Sequence, residues 1–297
     1  MRRARAARWD AVIGTTHPPT ALLIAHRVAA RLGIPYVADF RDSWTRYHAA
    51  PRRPGFLAEL ERRLEAKMIR QAAAVVAVER RIVAHALERI PPADHPPVQV
   101  IPNGYDEDDF RALAPAELPP FSIVHTGLMR RSPQPLWAAL AQVLRERPEL
   151  HGRLHLWQVG FVNAAAIGDL DAPPPGVIAH RVPPVPQREA IAYMLGADLL
   201  LVEEYESIMP SKTLQYLRAG RPILALLDGH GVICDVLRDM PQAYSIDRGE
   251  AERAGALIAR LASRPRPAPA EPSEAVAAYS RREIARRFAA VLDATLR

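Results

Sequence analysis

WDAVIGTTHPPTALLIAHRVAARLGIPYVADF, residues 9–40, decides the fold. WDAVIG is a short apolar run expected as a strand, TTHPP a loop, TALLIAHRVAARLG a helix closing on Gly33, and PYVADF a second strand. Strand, helix and strand in that order make a βαβ unit, whose crossover implies a parallel sheet. The alternation continues downstream. FLAELERRLEAKMIRQA, from Phe56, spaces its apolar residues as a helix does. AAVVAV, residues 73–78, is the unbroken apolar run of a buried parallel strand. RRIVAHALERI predicts a further helix, and VQVIPNG a strand ending in a polar turn.

YDEDDFRALAPAELPP, residues 105–120, is polar and proline-rich and reads as a linker. A second alternation follows it: strand FSIVHTG, helix QPLWAALAQVLRERP, strand LHLWQVG, helix QREAIAYMLGA, strand DLLLVEE, helix SKTLQYLRAG and strand PILALL. The expectation is an α/β protein of two successive parallel-sheet domains, residues 1–115 and 116–297. The final helix, SRREIARRFAAVLDATL, carries an apolar stripe of Ile284, Phe288, Ala289, Val291 and Leu292.

About half of the 297 residues are apolar, enough for two cores. One cysteine, Cys234, permits no intrachain disulfide, and no run reaches the ~18 apolar residues of a membrane span, so a cytoplasmic setting is expected. The opening MRRARAARWDAVI lacks the apolar core of a secretory signal. The formal charge of +6 comes from dispersed arginines, without zinc-finger spacing or an aromatic-basic signature, so nucleic acid is not an expected partner. The arginine-rich first domain leaves peripheral contact with anionic lipid open.

Of the 39 basic residues only Lys67 and Lys212 are lysines. Ligands of open parallel sheets bind beyond the carboxyl ends of the strands, where this chain has GTTHPP, DFRDSW, HTGLMRRS and EEYESIMPSK. In MPSKTLQYL, Ser211 is placed as an N-cap, and Lys212 adds a compact ammonium to a helix start that already favours phosphate. Gly127 allows close backbone approach, and Arg130 and Arg131 complete a clamp suited to a diphosphate. Asp39, Arg41 and Asp42 stand either as an internal salt-bridge network or as a sugar or acceptor site. His17 is a candidate for hydrogen bonding or base work. The run Asp106–Asp109 reads as solvated linker, and no metal site is expected.

In their order and spacing, residues 9–44 with VIPNGYDEDDF, VHTGLMRRSPQPLWAAL, RVPPVPQREAIAYMLGADLLLV and MPSKTLQYLRAGRPILAL resemble the family 4 glycosyltransferases of the GT-B fold. The resemblance covers most of the chain. It implies two Rossmann-like domains, a final helix crossing back to the first, and retaining sugar transfer from a nucleotide diphosphate donor with no cofactor or catalytic metal. It makes the second domain the donor site, through Gly127, Arg130, Arg131, Gly160, Ser211, Lys212 and Thr213, with Arg181 and Val182 near the base. His17, Asp39, Arg41 and Asp42 would serve acceptor and transferred sugar. Acceptors in the family include lipid-linked and polysaccharide intermediates.

Two departures accompany the resemblance. Many members carry two glutamates eight positions apart, where this chain has Ser207 and Gln215; Gln215 retains hydrogen bonding to a ribose but no charge, and Glu203, Glu204 and Glu206 stand nearby. Members also begin with further βα units, so the first domain is expected to lack its usual start, with a late start site, degradation to a non-catalytic nucleotide- or protein-binding fragment, or a partner chain supplying that part as the open explanations. An uncovered strand edge is the physical expectation.

Overall fold

A computed structural model describes residues 8–45, 54–203, 210–229, 232–266 and 268–296. Every strand expected above is present, and each is parallel to its neighbours because a helix or long connection returns the chain to the same edge. In the first unit β1 (Val12–Thr16), α1 (Thr20–Leu32), β2 (Tyr36–Phe40), α2 (Gly55–Arg70), β3 (Ala74–Ala77), α3 (Arg81–Leu87) and β4 (Val98–Val100) follow one another. Their four strands pair in sequence order, β1-β2-β3-β4. The opening stretch thus forms the expected βαβ unit, with Ile13 beside Val37 and Thr16 beside Phe40. The helix ends at Gly33, which adopts the left-handed conformation (φ 67°) that closes a helix without a Cβ penalty.

The second unit runs β5 (Ser122–Thr126), α4 (Gln134–Glu146), β6 (Leu154–Val159), α5 (Ala164–Leu170), β7 (Val177–Val182), α6 (Gln187–Gly196), β8 (Leu199–Glu203), α7 (Lys212–Ala219), β9 (Ile223–Leu227), α8 (Val232–Leu237), β10 (Ala243–Asp247), α9 (Ala251–Ala262) and α10 (Glu274–Ala277). Its strands are ordered β10-β9-β8-β5-β6-β7. The order reverses where β5 lies between β8 and β6, so the crevice beyond the carboxyl end of β5 is the topological switch point. The two-residue period of a strand sorts the core: Leu199, Leu201, Leu224 and Leu226 join α4 and α9 on one face, and Leu200, Val202, Ile223 and Ala225 join α6 and α7 on the other.

The first sheet has the same need. One face packs on α1, α2 and α3 through Tyr36, Ala38, Phe40, Val75 and Ala77. The opposite face, Val37, Ala74 and Val76, is covered by the last helix, α11 (Arg281–Thr295), through Ile284, Phe288, Val291 and Leu292.

The two compact units are accordingly residues 1–103 with 281–297, and residues 104–280. This boundary differs from the one expected at 115/116 in two ways. The stretch taken as a linker belongs to the second unit, because Tyr105 and Phe110 are buried in its core and pack edge to face, 6.2 Å between ring centroids. The last helix belongs to the first unit because its apolar stripe matches an otherwise uncovered sheet face, although Ala289 of that stripe is exposed. At the sheet edge β1 carries exposed Ile13, with Trp9 and Ile24 also exposed.

Truncating Phe288 to Ala should therefore cost the first unit about 2 kcal/mol, less than for a fully buried ring. Hydrogen exchange should accelerate in peptides covering 36–40 and 74–77 and not in those covering 199–203; equal acceleration in both would contradict the assignment of α11.

Candidate functional site

The carboxyl end of β5 is held by α7. Lys212 and Tyr216 are one helical turn apart and so share a face, and both reach Thr126: the Lys212 ammonium donates to its carbonyl (2.8 Å), and its backbone N–H donates to the Tyr216 hydroxyl (2.8 Å). Burial raises the Tyr216 phenol to about 12, so it stays neutral. Lys212 also donates to His125 Nε2 (2.5 Å). That nitrogen must then accept, which puts the imidazole proton on Nδ1, facing Gln158 Oε1 at 2.5 Å. The Gln158 amide in turn donates to the carbonyls of Gly127 (2.8 Å) and Phe161 (3.0 Å). Burial, and then the charge of Lys212, hold the His125 pKa well below the usual histidine value, consistent with the neutral tautomer the geometry requires.

This chain of bonds fixes the loop after β5. Gly127 has φ 85°, and Gly160 (φ 127°) lies so close that a Cβ there would stand 2.5 Å from the Gly127 carbonyl oxygen. Gly160 thus shapes the loop by allowing two backbones to meet, and it is not among the residues lining the cavity.

The cavity itself, about 290 Å³, is lined by His125, Gly127, Arg130, Arg131, Glu203 and Lys212 together with Leu128, Pro210 and Ser211. Five of the proposed donor residues therefore meet in one place: Gly127, Arg130, Arg131, Ser211 and Lys212. Lys212 is half-buried with its ammonium turned inward, and desolvation lowers its pKa to about 7 against the opposing charge of Glu203, with Arg130 adding to the lowering. Arg131 is paired with Asp228. Glu203 is buried and bound by Arg248 at 3.3 Å, and burial raises its pKa. The arrangement concentrates positive charge beside a glycine loop while keeping its lysine poised between two protonation states.

Ser211 differs from expectation in its conformation, and the remaining second-unit candidates fall outside the cavity lining. Ser211 occupies the N-cap position but is in helical conformation (φ −57°, ψ −28°), and its hydroxyl makes no capping bond; the Thr213 N–H goes to the Pro210 carbonyl instead. Thr213 is fully buried, and its hydroxyl oxygen has no hydrogen-bond partner. Gln215 is half-buried outside the cavity lining. Arg181 and Val182, on edge strand β7, also lie outside it: Arg181 binds Asp171 in two-pronged fashion (2.8 and 3.1 Å), and Val182 accepts the Gly160 N–H. Ser207, Glu204 and Glu206 lie outside the described residues.

In the first unit the four candidates form two pairs at the ends of β1 and β2, Asp39 with Arg41 and His17 with Asp42. Asp39 is buried and holds Arg41 through three close contacts (2.7, 2.8 and 3.0 Å), and Arg41 also donates to the Ile101 carbonyl. Of the two readings left open for this loop, the geometry of Asp39 and Arg41 is that of the internal salt bridge. His17 Nδ1 stands 4.0 Å from Asp42, whose side chain is half exposed, and the Thr16 hydroxyl donates to the Asp42 carbonyl. Asp106 caps a 3₁₀ turn and Glu107 binds Arg218, so the acidic run is structural.

His125, Gln158, Tyr216 and Arg248 escaped sequence reasoning. A signal existed for two of them: His125 and Gln158 are large polar residues that directly follow apolar ones, Ile123-Val124 and Leu156-Trp157, inside buried strands.

Comparison with known proteins agrees with this architecture. Residues 1–104 match the family model described as a glycosyl transferase 4-like domain. Among curated proteins no sequence matches the chain. Solved structures do: sucrose-phosphate synthase from Thermosynechococcus elongatus superposes with a TM-score of 0.62 at 14% identity, covering 98% of this chain and 75% of that one. A UDP-forming α,α-trehalose-phosphate synthase from Burkholderia vietnamiensis gives 0.64 at 13% identity, covering 99% and 74%. The pneumococcal O-GlcNAc transferase, solved with UDP and GlcNAc, gives 0.58 at 13% identity, covering 91% and 55%. The class is thus a two-unit α/β protein of GT-B-like fold.

Binding of a phosphate-bearing anion here should be coupled to protonation of Lys212. An unshifted lysine stays charged to about pH 10.4, but one lowered to about 7 loses its charge as pH rises through neutrality. Pyrophosphate affinity should therefore fall between pH 7 and pH 9, with proton uptake on binding at the upper end, as read by calorimetry in buffers of different ionisation enthalpy. In the unliganded protein the linkage has the opposite face: between about pH 7 and 10.4 the unfolded chain binds the extra proton, so stability rises with pH across that window. Lys212→Met should flatten both dependences.

Proposed function

We propose that the chain is a glycosyltransferase that takes its sugar from a nucleoside-diphosphate donor. One observation carries the proposal: the Lys212 ammonium, with Arg130 and Arg131, lines a cavity beside the left-handed Gly127 loop at the switch point of the second sheet. Three cations and a glycine that lets backbone approach closely suit two linked phosphates better than a single carboxylate. The glycosyl transferase 4-like domain and the structural neighbours, two of which name UDP, support the same chemistry.

In this mechanism the bond from the anomeric carbon to the diphosphate oxygen breaks as the acceptor hydroxyl bonds to that carbon, with net retention. The diphosphate oxygen gains negative charge as its bond to carbon breaks, and the acceptor hydroxyl's proton passes to that departing oxygen. Lys212, Arg130 and Arg131 are aimed at that charge, and because they are already in place they need no reorganisation as it develops. Donor binding brings a second charge beside Lys212 and draws it to its protonated form. Asp39 and Arg41 neutralise one another and shape the first-unit loop.

Glu203 has a positioning role. Held by Arg248, it supplies the opposing charge that tempers the desolvation of Lys212.

The test is binding and turnover by the purified chain. A nucleoside diphosphate should bind and its sugar conjugate should be transferred or hydrolysed, and Lys212→Met should lower kcat/KM by about 10²–10³-fold with an unchanged circular dichroism spectrum. Binding without turnover would identify a non-catalytic nucleotide binder. Absence of binding to every nucleoside diphosphate would reject the donor site.

A further inference from the structure

The chain's other lysine, Lys67, lies on α2, and that helix presents an unusual face. Its buried side is ordinary: Glu65, Met68 and Ile69 turn toward the first core. The opposite side carries Phe56, Leu60, Arg63, Lys67 and Arg70, all exposed. At 100° per residue these five positions fall within a sector of about 80°, so they form one straight stripe along the helix. Phe56 is 74% exposed and Leu60 51%, a large outlay of apolar surface on a solvent-facing helix. The first turns of the stripe are therefore apolar and the remainder is cationic.

The cations continue onto the neighbouring element. Arg63, Lys67, Arg70 and Arg89, with Ile90 and Pro91, line a shallow groove of about 840 Å³. The nearby carboxylates do not balance them. Glu59 alone accepts from Arg62, Arg63 and Arg89, and Asp94 meets Arg70 at 3.2 Å. Glu59 and Asp94 thus meet four cations between them, Arg62, Arg63, Arg70 and Arg89, and Lys67 adds a flexible charge to the middle of the stripe.

We propose that this face of α2 docks the protein on an anionic lipid bilayer. Phe56 and Leu60 would enter the headgroup boundary, and Arg63, Lys67, Arg70 and Arg89 would meet lipid phosphates, the division of labour of an interfacial helix. Charge complementarity selects this occupant. A second copy would bring the same surplus of positive charge to the seam, and a partner helix packed along the stripe would need apolar residues at all five positions, of which three are charged. Nucleic acid would use the cations but gain nothing from the exposed Phe56 and Leu60.

The experiment is co-sedimentation of the full chain with vesicles of pure phosphatidylcholine and of equal parts phosphatidylcholine and phosphatidylglycerol. The chain should pellet with the mixed vesicles, weakly or not at all with the neutral ones, and less as salt is raised. A surface cation contributes about 1 kcal/mol near an anionic leaflet, roughly fivefold in partitioning, so the triple variant Arg63→Gln, Lys67→Gln, Arg70→Gln should lower it about a hundredfold. Phe56→Ser with Leu60→Ser should also weaken binding, chiefly the part that survives high salt. All five side chains are exposed, and circular dichroism with thermal melting verifies that both variants fold. No binding to anionic vesicles at low salt, equal binding to neutral ones, or undiminished binding by the triple variant would overturn the proposal. A concentration-dependent dimer in ultracentrifugation, abolished by the Phe56 and Leu60 substitutions, would also overturn it and identify a second copy as the occupant.

Discussion

A parallel sheet has no face to give to water, and each unit of this protein is organised around that constraint. In the second unit the chain meets it locally, with α4 and α9 on one side of the six strands and α6 and α7 on the other. The first unit meets it with a helix from the far end of the chain: α11 closes over Val37, Ala74 and Val76. Two-sided coverage leaves the strand ends as the places where polar side chains can gather without desolvation on every side. The ends of β1 and β2, where Thr16 meets Asp42, and the Thr126–Arg131 loop are such places.

At the second of these ends one cation organises several parts. Lys212 ties α7 to the Thr126 carbonyl, fixes the tautomer of His125 and, through Gln158, steadies the Gly127 carbonyl. Tyr216 holds the same strand end by its backbone N–H. Arginine would carry its charge at any pH and could not be brought near neutrality by burial, which gives a physical ground for lysine here in a chain that otherwise uses arginine. A lysine lowered to about 7 can be neutral when the cavity is empty and charged when an anion fills it.

Much of the fold was legible because the signals are local. The strand runs 74–77, 199–203 and 223–227 are nearly unbroken in Val, Leu, Ile and Ala, and the helices between them keep a 3.6-residue stripe. The 105–120 stretch misled because its proline and charge content outweighed two aromatics, Tyr105 and Phe110, whose burial sets the boundary. Ser211 misled in the same way, since a favourable residue type at a helix start does not dictate its backbone conformation. Lys212, Arg130, Arg131 and Gly127 could be paired from sequence because they follow strands of one sheet. Arg181 could not be placed, since its bond to Asp171 is a tertiary fact.

The sequence by itself determined the two parallel sheets, their βα order and the loops where chemistry gathers, because periodicity and strand-end glycines are properties of neighbours in the chain. Tertiary structure alone decided which sheet α11 covers, that Arg41 reaches the Ile101 carbonyl, and that Lys212 is desolvated against His125, Thr126 and Glu203. Those outcomes depend on distances between residues far apart in the chain and on the exclusion of water around them. Neither quantity is written in any single stretch of residues.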